Sequence, residues 1–265
     1  MIKALLQGLS LLLLFFGTQL ALRQVHWTKI LKIDQATKKT DEKLGDLFWE
    51  IFQKSDKEIT SPLVVNALDS IVSRICIKNK IPRSSVKIHL LDKSDINAFA
   101  LPGGHLIVYS GLITASDNQA ELSGVLCHEI AHIQLNHVMR KLVQEIGLSV
   151  VISMTTNKGS TEIIKQAAKL LSSSAFDRKL EKEADLKAVD YLIQAEINPE
   201  SFANFLYRLA GEQGEAMKYL SWIGTHPESK ARAEYLVEYF RNKPFQKKPV
   251  LTDSIWDKVL EKLKE

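Results

Sequence analysis

Three residues at fixed spacing carry the first chemical signal: His128, Glu129 and His132 in His128-Glu129-Ile130-Ala131-His132. Two histidines four apart on a helix stand on one face, one turn apart. Their ring nitrogens can then reach one tetrahedral zinc at about 2.0–2.1 Å. Glu129 sits beside the first ligand and can take a proton from a zinc-activated water without binding the metal itself. The surroundings argue against an exposed pair of histidines. Leu122, Val125, Leu126, Ile130 and Ile133 make this a buried helix, and buried His and Glu need partners. One zinc per chain is the implied cofactor.

A zinc hydrolase of this type needs a third ligand. The metzincin continuation would require glycine at position 135 and histidine at 138, but Leu135 and Val138 stand there. A downstream carboxylate is the alternative, and the segment from Phe176 to Asp185 offers several. Glu181 and Asp185 are one helical turn apart and share a face. We assign Glu181 as the third ligand and Asp185 as the acceptor that orients a ligand histidine. Glu183 lies about 200° around the helix from Glu181 and is the weaker candidate. His137 reads as structural, facing away from the two ligand histidines.

The elements that must hold these groups follow from periodicity and punctuation. Ser61-Pro62 opens a helix with a Leu63, Val64, Leu68, Ile71, Val72, Ile75 face. Val86–Leu91 alternates like a strand, and Asn97–Leu101 and His105–Tyr109 flank a Pro102-Gly103-Gly104 turn. Asp117 is the expected cap of one long helix running to about Ile146. Further helices are expected at about Glu162–Ser172, Phe176–Ala195, Pro199–Ala210 and His226–Arg241. The fold class is α+β: mostly helical and zincin-like, with a small β-sheet or hairpin beside the metal helix. Four segments are expected: a signal peptide or anchor at 1–22, a charged linker and amphipathic helix at 23–60, the metallopeptidase domain at 61–243, and a tail with a short helix at 244–265.

The chain of 265 residues is 45% hydrophobic and 25% charged, enough for a real core without a disulfide scaffold. Its net charge of +4 is spread along the chain, which excludes a nucleic-acid patch. Cys76 and Cys127 fall on apolar helical stretches, where cysteine is a small buried hydrophobe. Ala4–Leu22 is an apolar run preceded by Lys3 and followed by Arg23, which reads as a secretory signal or an uncleaved anchor. Either reading exports the rest of the chain, to the periplasm or to the outer face of a membrane.

Four blocks in order resemble the gluzincin zinc peptidases of the HtpX, beta-barrel assembly-enhancing and CAAX prenyl protease family. They are Asn97-Ala98-Phe99-Ala100-Leu101-Pro102-Gly103-Gly104 with Gly111-Leu112, His128–His132, Arg178 through Glu181 to Asp185, and Thr225-His226-Pro227 with Arg232. Asn136 stands where that family often has Arg, and Asp177 where it has Ser; both leave the metal site intact. The resemblance covers about residues 60–240 and implies a metalloendopeptidase acting on polypeptides, here a compact exported member that clears unfolded or misassembled envelope proteins. It adds His226 and Arg232 as candidate donors to the oxyanion, and places Arg232 with Asp185 behind the metal ligands. It also implies that Asn97, Ala98, Phe99 and Ala100 form an edge strand that pairs with substrate backbone. A metal-binding scaffold or chaperone without proteolysis is the competing reading. The stretch 148–174, between the two metal helices, is placed to cover the cleft.

Overall fold

A computed structural model of the protein describes residues 33–156, 160–211 and 220–265. The expected signal or anchor at 1–22 lies outside the described residues. Among the described residues no helix is long and apolar enough to cross a membrane. The chain divides into a unit over Met1–Thr40 and a unit over Asp41–Glu265. Everything below concerns the second. Helix α1 spans Ile33–Ser55, and its Leu44, Phe48 and Phe52 are buried in the second unit.

Helix α2, Pro62–Lys78, begins at the expected Ser61-Pro62, with proline at its first turn, where the missing N–H costs nothing. Its Val64, Leu68, Ile71, Val72 and Ile75 are buried, as the periodicity predicts. Three strands form one sheet: β1 Lys87–Leu91, β2 Ala98–Ala100 and β3 His105–Tyr109, in the order β1-β3-β2. β1 is parallel to β3, while β2 and β3 form the expected antiparallel hairpin, with Phe99 opposite Ile107. β2 is therefore an edge. β3 alternates between two cores: Leu106 and Val108 pack with α2 and the metal helices, and Ile107 and Tyr109 pack with α1. Gly104 has φ +76, and a side chain there would sit on the Ser85 carbonyl, so only glycine completes this turn.

A short helix α3, Ser110–Ala115, leads to α4, Gln119–Gln134. The cap of α4 is Asn118, whose side chain accepts from the N–H groups of Ala120 and Glu121, not the expected Asp117. The expected single helix to Ile146 is broken. Leu135 closes α4, Asn136 turns left-handed at φ +55, and α5 restarts over His137–Ile146. Asn tolerates that conformation better than most residues, so it marks the break.

Helices α6, Leu148–Met154, and α7, Thr161–Ser173, fill the stretch between the metal helices. Val151, Met154, Ala167, Ala168 and Leu171 bury into the second core. Helix α8, Arg178–Gln194, is capped by Asp177, which accepts from the Leu180 N–H. α9, Pro199–Gly211, α10, Leu220–Thr225, α11, Ser229–Phe240, and α12, Asp253–Lys262, complete the chain. The expected helix from His226 thus starts three residues later. Glu228 is left-handed at φ +63, and His226-Pro227 stays outside the helix, because the residue before proline is steered away from helical backbone. α4 packs on α8 and α9, and α11 packs on both α8 and α9. This layer, with Trp256 and Val259 of α12 buried against it, is the main core.

Candidate metal centre

α4 is buried on nearly every side, so its polar residues can only face partners inside the protein. Crossing by α9 is close: a methyl on Gly124 would lie 2.5 Å from Phe202 Cβ. One and two turns further along the same side stand His128, 6.0 Å from the Phe202 ring centre, and His132; their Nε2 atoms lie 3.0 Å apart. Across from them α8 presents Glu181. Its Oε1 is 3.4 Å from His132 Nε2, and its Oε2 is 3.6 Å from His128 Nε2. His226 enters beyond the end of α10. Its Nδ1 is 3.0 Å from Glu181 Oε1 and 3.3 Å from His128 Nε2. One ligand atom from each of His128, His132, Glu181 and His226 lies within 4.8 Å of the others.

These donors fit a metal ion. Two nitrogens bound to one tetrahedral zinc at about 2.0–2.1 Å stand about 3.3–3.4 Å apart, close to the separation seen here. Each ligand residue points one donor atom at the same small space, an arrangement that one cation would satisfy. Charge argues the same way. Glu129, Glu181 and Asp185 are buried carboxylates, and Arg232 is the guanidinium buried among them. Buried charges need compensation.

Glu129 is fully buried. Its Oε2 accepts the Ala100 N–H at 2.9 Å, and its Oε1 lies 3.4 Å from His226 Nε2. Burial, with the Glu181 charge second, pushes Glu129 well above the usual carboxylate range. Burial acts on Glu181 in the same direction. The electrostatic pull of His226 and Arg232 outweighs it and holds Glu181 well below that range. The two carboxylates are thus driven apart, one suited to carry a proton and one to stay ionised. Burial also pushes His128 down to about 3, which keeps it neutral and ligand-ready.

Asp185 lies where the one-turn spacing predicts, with Oδ1 2.9 Å from His128 Nδ1. Arg232 grips it with Nε at 2.8 Å and Nη2 at 2.7 Å, and reaches Glu181 with Nη1 at 3.0 Å. The Tyr235 hydroxyl also donates to Asp185. Of the two places the sequence suggests for Arg232, beside the oxyanion or behind the ligands with Asp185, it takes the second. Its fork is occupied by the two carboxylates and the His226 carbonyl, so here it balances charge.

Asn97 precedes β2, and its Nδ2 donates to Ser221 Oγ at 3.1 Å. Phe99 pairs with β3, which turns the N–H and C=O of Ala98 and Ala100 toward the edge that no strand pairs, where Ala100 meets Glu129. α7 packs against β2, α5 and α10, and Asn97, Ala98, Phe99 and Ala100 are all buried.

Several residues at the centre carried no signal in the sequence reading. Phe176 stacks on the His132 ring at 4.1 Å. Lys141 is buried, donates to the Ser174 carbonyl and sits 4.3 Å from the Phe176 ring centre; burial lowers it to about 8. His137, expected to face away, has its Nδ1 3.1 Å from His132 Nδ1.

The fold and this centre define a helix-borne histidine–carboxylate metal site beside an edge strand. The chain belongs to peptidase family M48, whose model matches residues 62–239. It is similar to the beta-barrel assembly-enhancing protease of Yersinia pestis, 26% identical over 233 residues, which are 83% of this chain and 47% of that protein. The protein of the same name from Escherichia coli K12 is 24% identical over 231 residues, 83% of this chain and 47% of the relative. The mitochondrial metalloendopeptidase OMA1 of Schizosaccharomyces pombe is 28% identical over 157 residues, 58% of this chain and 46% of the relative. The chain spans about half the length of the curated relatives it matches.

Proposed function

We propose that this protein is a zinc-dependent metalloendopeptidase that cleaves unfolded or misassembled proteins of the cell envelope, working outside the cytoplasm. The observation that carries the reading is the convergence of His128, His132 and Glu181 on one buried point, with Glu129 beside it. A zinc ion held by those three residues would supply Lewis acidity, polarising the scissile carbonyl and acidifying the attacking water.

The chain's own groups do the rest. Glu129 accepts the proton of the attacking water and delivers it to the leaving amine, a role suited to a carboxyl raised by burial. His226, beside both Glu129 and Glu181, is the donor to the developing oxyanion. Asp185 fixes the His128 ring, and Arg232 keeps Asp185 and Glu181 ionised. Ala98 and the Ala100 carbonyl offer backbone groups to an extended substrate, the Ala100 N–H being held by Glu129, so binding reads backbone more than side chain. Asn97 Oδ1 is buried without a hydrogen-bond partner beside that strand, which supports a polar occupant there. The envelope setting rests on the Ala4–Leu22 run and on the beta-barrel assembly-enhancing proteases among the relatives.

The test uses the full chain. The parent should bind one zinc and cleave casein. Glu129→Gln should keep the metal and lose cleavage by about 10²–10⁴-fold. Glu181→Ala should lose the metal. Zinc uptake by the parent with no cleavage of casein would favour a non-proteolytic scaffold.

A further inference from the structure

The two ligand histidines are held from behind in different ways. His128 leans on Asp185, which is buried and clamped by Arg232. His132 leans on a second imidazole. His137 is fully buried at the first position of α5, and its Nδ1 lies 3.1 Å from His132 Nδ1. The other nitrogen of His137, Nε2, lies 3.3 Å from Glu183 Oε2, and the Glu183 side chain is 41% exposed. Arg140 approaches the same carboxylate oxygen at 4.0 Å.

Only one arrangement of protons satisfies this row while leaving His132 Nε2 free to bind. His132 must carry its proton on Nδ1 and donate it to His137 Nδ1. His137 must then carry its own proton on Nε2 and donate it to Glu183. A neutral imidazole has one donor and one acceptor nitrogen, so each link fixes the next. Phe176, stacked on His132 at 4.1 Å, limits the remaining tilt of the ring.

We propose that His137 is a positioning residue for the metal: it sets the tautomer and orientation of His132, and Glu183 in turn sets His137. This rests on the metal-binding reading given above. Outer hydrogen-bond partners of metal ligands fix ring orientation and raise ligand basicity, and losing one costs about 10–100-fold in metal affinity or activity. The left-handed turn at Asn136 is what makes the contact. It carries His137 out of the phase of α4 and back toward His132.

Zinc affinity of the full chain, measured by competition with a chromophoric chelator, tests this without recourse to activity. His137→Leu fills much of the space but cannot accept; it should weaken zinc binding by about 10–100-fold. His137→Asn places an acceptor oxygen near the old Nδ1 and should recover most of that loss. The visible spectrum of the cobalt-loaded protein should shift in His137→Leu and return in His137→Asn. Glu183→Ala, at a half-exposed site, should weaken zinc in the same direction but less, even if His137→Leu does not fold. Unchanged zinc affinity in His137→Leu, or in Glu183→Ala, overturns the proposal. So do equal losses in the leucine and asparagine variants matched by an equal drop in apo-protein melting temperature, which would mean packing alone. A parent that takes up no zinc overturns the reading of the centre itself.

Discussion

Glu181 and Asp185 differ in duty because different neighbours hold them. Both sit on one face of α8, but Asp185 is gripped twice by Arg232 and touches His128 from behind, while Glu181 stands in front among the ligand nitrogens. Arg232→Met would leave two buried carboxylates without their guanidinium. Removing one partner of a buried ion pair costs about 3–5 kcal/mol. Urea unfolding of the apo-protein should show a loss of that size. Asp185→Asn should fold but bind zinc about 10–100-fold more weakly, because the amide can present its N–H₂ to a ring nitrogen that must itself donate. At this scale the sequence was informative wherever spacing on one helix decides the outcome. His128 and His132, and Glu181 and Asp185, lie where one-turn spacing puts them, with Glu129 beside the first. His137 was illegible for a definite reason. In an unbroken helix it would point about 140° away from His132. A single left-handed residue, Asn136, cancels that phase.

Helix α4 shows how an element is tuned to its surroundings. Gly124 costs helix stability, about 1 kcal/mol against alanine. Its place against Phe202 reverses the balance. Gly124→Ala should therefore destabilise the protein by about 1–3 kcal/mol through overpacking, despite the gain in propensity; the midpoint of a denaturant titration measures it. The hydrophobic faces of α2, α4 and α8 were legible because each buries an apolar stripe in the main core. The caps and breaks were less so: Asn118 and Asp117 are chemically equivalent candidates one residue apart, and local sequence does not choose between them. The hairpin was legible from Pro102-Gly103-Gly104. The parallel pairing of β1 with β3 was not, because contacts distant in sequence decide it.

At the scale of the whole unit, a second histidine pair ties α1 to the sheet. His89 stacks on Trp49 at 3.7 Å, and its Nε2 lies 3.0 Å from His105 Nδ1; His105 Nε2 lies 3.1 Å from Asp46. Burial, then the charges of His105 and Lys87, push His89 down to about 4, while Glu58 at 3.7 Å opposes them. The folded value lies below the unfolded one of about 6.5. The stability contributed is present above pH about 6.5 and is lost as pH falls toward 4. Thermal melts from pH 7 to 4.5 should show a falling melting temperature, with a shallower slope in His89→Gln than in the parent.

The ligand residues His128, His132 and Glu181 are at most 3% exposed. Buried ligands make the lifetime of a bound ion a property of the fold rather than of its coordination bonds. A chelator in solution cannot compete for atoms it cannot touch. The rate of metal extraction should therefore rise with chelator concentration only at first, then level off at a plateau equal to the opening rate of the protein. Stopped-flow extraction at rising chelator concentration would read that rate directly. Amide exchange in 161–173 should report the same number where movement of α7 is the opening, and a different one where another element moves.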